Sequence, residues 1–145
     1  MKRVVTVLLA CMFVTLLLAR PGAAEAVKPL KEWKGTLKDE ALRKEAPTQV
    51  ASHIGYLTDA KAWEKLWKAW RDKEELPKVD FAKELVLVVT VSGPNQAIVG
   101  IGLDGEGDLT LGVGSTKVGG PGFGYYLAVV PRKGVKTIDG KPIKD

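Results

Sequence analysis

Cysteine is the first scarcity in this chain. The only one is Cys11, so residues 27–145 contain none, which excludes disulfides, cysteine metal sites and a thiol nucleophile from that stretch. Histidine is as rare: His53 stands alone, and zinc is poorly served by one imidazole without thiolates. Charge of one sign is also lacking. Residues 27–145 carry 19 basic and 16 acidic side chains, a net +3, too little and too evenly mixed for a nucleic-acid surface. Long apolar runs are missing outside the first 26 residues, so the remainder is expected to be soluble and not membrane-spanning.

What is present reads as one globular domain: 145 residues, 46% apolar, 27% charged and 7% aromatic. Met1-Lys2-Arg3, the apolar run Val4–Leu18 and the small-x-small triplet Ala24-Glu25-Ala26 predict a signal peptide over 1–26, cut after Ala26. A second reading takes Leu8-Leu9-Ala10-Cys11 as a lipobox, although five apolar residues still follow within Met12–Leu17. The expected destination is the bacterial periplasm or the exterior. A chain that reaches it without disulfides depends on its core.

Residues 27–48 are polar and lysine-rich and predict an N-terminal arm with at most a short strand around Trp33–Leu37 and a helical turn from Glu40 to Lys44. A single domain is expected over 49–145. Gln49–Leu57 predicts a strand. From Asp59 to Lys73, Trp63, Leu66, Trp67 and Trp70 recur at i, i+3, i+4 and i+7, which predicts an amphipathic helix capped by Thr58 or Asp59. A stripe of indoles could stack a sugar or cofactor, but helical spacing of large apolar groups is foremost the signature of a packed face. Leu85–Val91 is β-branched and nearly free of polar residues, as a strand buried on both faces requires. After Ser92-Gly93-Pro94-Asn95, which predicts a turn, strand signals over 97–103, 109–113, 125–130 and 135–138 alternate with glycine-rich turns. The expected fold class is α+β, with one helix packed on a mostly antiparallel sheet of five or six strands.

No reactive constellation is complete. Gly100-Ile-Gly102-Leu-Asp-Gly105 matches the dinucleotide-binding spacing but opens no helix. Asp104, Glu106 and Asp108 alternate like the start of a calcium loop, without its sixth-position glycine or twelfth-position glutamate; a solvated hairpin tip, with Gly105 and Gly107 as turn residues, is the stronger reading over a weak surface calcium site. Gly112–Lys117 has its lysine after the hydroxyl residues, not before them as a phosphate loop needs. Ser52, Ser92 or Ser115 with His53 could supply a nucleophile and base, but no nucleophile elbow is present, and in a strand Ser52 and His53 would point to opposite faces. No cofactor, metal or catalytic residue is therefore expected. The loop Gly119-Gly120-Pro121-Gly122-Phe123-Gly124-Tyr125-Tyr126 stands out. Two readings remain open: a contact loop in which Gly120, Pro121, Gly122, Phe123 and Tyr125 meet a partner, or a wide connection with Phe123 folded over the core edge.

Trp63-x-x-Leu66-Trp67, followed by Pro77-x-Val79-Asp80-Phe81 and Leu85–Val91, resembles the C-terminal domain of PrcB-type proteins, as does the ending Tyr125–Pro131-Arg132. The resemblance covers about residues 60–132. The turn that is threonine–glycine–tyrosine in that family is Ser92-Gly93-Pro94-Asn95-Gln96 here. The resemblance implies export, association with a surface protease, and a local capping role for Asp80. The expected function is a non-catalytic domain contacting another envelope or secreted protein, a protease among the candidates. The alternatives are a small envelope hydrolase using carboxylates such as Asp80 or Asp104, and a glycan-binding module using Trp33 or an exposed indole of the helix.

Overall fold

The computed structural model describes residues 23–145. The charged start and apolar run of the expected leader, with Cys11, lie outside the described residues. The strands are β1 (Glu25–Ala26), β2 (Lys31–Leu37), β3 (Ile54–Leu57), β4 (Glu84–Ser92), β5 (Ala97–Leu103), β6 (Asp108–Ser115), β7 (Phe123–Pro131), β8 (Thr137–Ile138) and β9 (Lys141–Pro142). A 3-10 segment spans Glu40–Glu45, and the one α-helix among the described residues, α1, spans Ala60–Arg71. No helix among the described residues is long and apolar enough to cross a membrane.

The α+β architecture is as expected, but its strands form two sheets. One has the order β2-β7-β4-β3 and the other β1-β5-β6-β8-β9. The chain leaves the five-stranded sheet after β6, builds β7 into the four-stranded one, and returns as β8. That detour lets β8 lie parallel to β6, the one parallel pairing among the described residues.

Two cores follow. In β4, Leu85, Leu87, Val89 and Val91 face the second sheet with Tyr126, Ala128 and Val130 of β7, meeting Ile101, Leu109 and Ile138. The alternate residues Val86 and Val88 face α1 with Phe123, Tyr125, Leu127 and Val129. β4 is thus central and covered on both faces, as its unbroken apolar run demands. Residues 27–48, expected as an arm, contribute β2 to the sheet edge in full register with β7, from Lys31 opposite Val129 to Leu37 opposite Phe123. At the other end, Glu25 and Ala26 pair with Leu103 and Gly102, so the expected cleavage point adjoins a backbone-paired stretch.

Helix α1 is capped by Asp59, whose carboxylate accepts the Ala62 N–H at 2.9 Å. Its buried face is the expected one: Trp63, Leu66, Trp67 and Trp70. Trp33 of β2 completes the layer, its ring 5.7 Å from Trp63 and 5.2 Å from Trp67. An indole brings a polar N–H into the core, and each must find an acceptor. Trp63 donates to the Pro77 carbonyl, Trp67 to Glu74 and Trp70 to Leu42, all at 2.9–3.1 Å. The stripe is therefore core, and Trp33 is packed within it.

The acidic turn after β5 is a backbone clasp. One oxygen of Asp104 accepts the N–H groups of Glu106 and Asp108, both at 2.9 Å, and the Asp108 N–H foremost holds its carboxyl below the ordinary value. Asp108 accepts from Thr137 and from the Gly140 N–H, tying the β8–β9 hairpin to β6. Asp80 likewise caps locally, accepting the Ala82 N–H.

Two outcomes are expected. Trp63→Ala should cost about 3–5 kcal/mol in urea denaturation, because the site is walled by rigid rings and strands that cannot collapse into the space. A lowered folded-state value means that Asp104 contributes stability above the unfolded carboxylate value, about 3.9, which is lost as pH falls through the folded one. Protection of the Glu106 and Asp108 amides, measured as exchange relative to an unstructured amide at the same pH, should therefore fall on acidification over that window, and Asp104→Asn should flatten the response.

Candidate functional site

Where β3 begins, the chain does not run straight from Gln49 as expected. Val50 and Ala51 both donate to the Ile54 carbonyl, and Ala51 bridges Ile54, so Ser52 and His53 form a tight turn. The cause lies beside it: Pro47 and Gln49 fold back over Gly55, where a Cβ would sit 2.0 Å from the Pro47 carbonyl oxygen. The Gln49 amide then satisfies both backbone groups of Tyr56. Because they sit on a turn, Ser52 and His53 line the same cleft instead of opposite faces of a strand.

That cleft, about 420 Å³, opens where the two sheets diverge. One wall is the turn itself. The next is the free edge of β4 past its pairing with β3: Thr90, Val91 and Ser92. The third is the end of β6, with Val113, Gly114 and Ser115. Arg43 reaches in from the 3-10 segment, its Nε 3.4 Å from Thr90 Oγ1 and its Nη1 3.3 Å from Ser92 Oγ. Glu40 holds the same Nη1 from the solvent side at 3.2 Å. The Leu42 carbonyl that fixes Trp70 is one residue from Arg43, so the indole layer sets where the guanidinium stands.

The cleft contains hydroxyls and an imidazole, the raw materials for acyl transfer. No carboxylate lines it, and no hydrogen bond joins His53 to Ser52, Ser92 or Ser115, so the relay that a serine nucleophile needs is not assembled. The other acids weighed from the sequence lie elsewhere: Asp80 and Asp104 serve as caps. A second cleft, about 410 Å³, lies between Gln49, Tyr56 and the β9 segment; the Gln49 amide there is taken up by the Tyr56 backbone, and Tyr56 Oη accepts the Lys144 N–H at 2.7 Å.

The glycine-rich loop divides between the two readings. Phe123 is 0% and Tyr125 4% exposed, which corrects the expectation that they present rings to a partner. Both belong to β7. Phe123 meets Trp70 with centroids 5.4 Å apart, and Tyr125 lies across Gly35 and accepts from Arg71 at 2.8 Å. Gly122 is also buried; at φ +98° it turns the chain beneath Leu37, where a Cβ would sit 2.1 Å from the carbonyl oxygen. Gly120 and Pro121 do remain at the surface. The loop is moored by the buried Asn95, whose amide donates to the Ser92 carbonyl and accepts from the Val118 N–H, both at 2.6 Å, and from Thr116. This brings Val118, 56% exposed, to the end of the sandwich that holds the cleft. Ile98, 61% exposed, stands there too, opposite Gly114.

Arg43 carried no sequence signal, since its partners are 47 and 49 residues away. Ile98 had one: it is the outward residue of an alternating strand, yet large and apolar. Comparison with models of protein families, with curated proteins and with solved structures gives no match for this chain.

Asn95→Ala should leave the Ser92 carbonyl and the Val118 N–H without their partners. The expected cost is about 1–3 kcal/mol in denaturation, with exchange at Val118 accelerated while β4 amides stay protected.

Proposed function

We propose that the protein is an exported, non-catalytic binding domain of the bacterial envelope that contacts a second exported protein. Export rests on the leader-like first 26 residues, and a protease is the partner class that the PrcB-type resemblance implies. The observation that supports the reading most is the end of the sandwich where the cleft opens. A polar cleft with an unassembled relay lies there beside the two most exposed of the large apolar side chains among the described residues, Ile98 and Val118, and the exposed Gly120-Pro121 tip. Apolar side chains beside unspent donors suit recognition, in which a dry centre is ringed by polar contacts.

The test is photo-crosslinking in cells that export the protein, with a benzophenone amino acid replacing Val118 or, as a control, the exposed Lys61 on the outer face of α1. The expected result is a discrete adduct from position 118 that Ile98→Asp abolishes and that position 61 does not form. Equal adducts from both positions would remove this surface from the reading. Turnover of envelope substrates that is lost in His53→Ala, in a protein with unchanged circular dichroism, would replace it with the hydrolase.

A further inference from the structure

We infer that the cleft walled by Arg43, Ser92 and Ser115 is an oxyanion site that takes a phosphate group. The inference rests on reading the cleft as a place of binding.

The polar side chains lining this space all donate or can donate, and none of them is an acid. The hydroxyls of Ser52 and Ser115 and the imidazole of His53 make no hydrogen bond among the described residues, and Arg43 Nη2 likewise has no partner while Nε and Nη1 are engaged. An imidazole offers an N–H in either protonation state. The backbone adds a donor. The Thr90 N–H donates to the His53 carbonyl, and alternate N–H groups of an antiparallel strand share one side. The next on that side belongs to Ser92, beyond the end of β3, so it faces the cleft with no strand opposite. Val91 and Val113 supply apolar wall, which limits the water competing for these donors.

The arrangement favours a tetrahedral anion over a carboxylate. A planar carboxylate is best held by the parallel N–H pair of a guanidinium fork. Here Thr90, Ser92 and Glu40 already occupy two of the three nitrogens, leaving one end-on contact. The remaining donors come from three separate walls, a spread that matches oxygens pointing in several directions. Glu40 is the competing anion: its carboxylate, half exposed, sits on Nη1 from outside.

The experiment is a titration of the protein followed by the amide resonance of Ser92 and the ring resonances of His53, with inorganic phosphate, glycerol 3-phosphate and acetate. Saturable shifts with the phosphate compounds and none with acetate are expected. Tighter binding of glycerol 3-phosphate assigns a phosphate ester as the ligand, and equal or weaker binding assigns the free ion. Arg43→Ala should weaken binding by about tenfold, the scale of one charge-assisted hydrogen bond, with Arg43→Lys intermediate. Glu40→Gln should tighten it by removing the competitor. Absence of saturable shifts, acetate binding as well as phosphate, or unchanged affinity in a folded Arg43→Ala protein would overturn the assignment. Those results would leave the crosslinking outcome untouched. Hydrolysis of a phosphate ester that depends on His53 would instead uphold phosphate recognition and overturn the non-catalytic reading.

Discussion

Three buried indole N–H groups hold this molecule in register with itself. Packing Trp63, Trp67 and Trp70 on the four-stranded sheet is worth on the order of several kcal/mol in apolar burial, but any flat pairing of helix and sheet would supply that. The N–H groups add direction. They claim the carbonyls of Pro77, Glu74 and Leu42, and so fix the descent from α1 toward β4 and the path of the 3-10 segment. A buried donor without its acceptor is expensive, which makes these choices close to obligatory. The Leu42 contact reaches furthest, because the next side chain is the guanidinium that crosses the mouth of the cleft.

Much of this was legible in the sequence. Helix α1 and its inward stripe follow from spacing, and of the two caps the sequence offered, Thr58 and Asp59, the helix uses Asp59. The two-sided burial of β4 follows from a run with no polar alternation, and β5 from clear turn signals at both ends. The split into two sheets was not legible, because strand count does not reveal partnership. β7 resembles β4 in composition, and only its pairing with both β2 and β4 shows that it left one sheet for the other.

The site was harder to read for a different reason. Val50, Ile54 and Tyr56 fit a strand period, and the turn at Ser52-His53 arises from Pro47 and Gln49 folding over Gly55, a contact that no period encodes. In the same way Phe123 and Tyr125 sit among glycines in the sequence, yet Gly122 serves to let the chain pass under Leu37, Gly124 lies against the Asn95 carbonyl, and the Tyr125 ring is admitted by Gly35 of β2. Local composition suggested display; tertiary crowding produced burial. Arg43 illustrates the limit, since its neighbours in space come from the far end of β4.

The five-stranded sheet differs from its partner in one respect with mechanical weight. On its outer face, Gly100 lies directly opposite Gly112, and Gly114 opposite Ile98, with open space where Cβ atoms would stand at Gly100 and Gly112. The inner sheet is clamped between an aromatic layer and a second sheet, whereas these strands leave their ladder unshielded from water on one side, at about 0.5–1 kcal/mol of lost strand preference per glycine. The cleft has a wall from each: Thr90 and Ser92 from the stiff layer, Gly114 and Ser115 from the compliant one. Its width is therefore set like a vice with one fixed jaw and one sprung jaw.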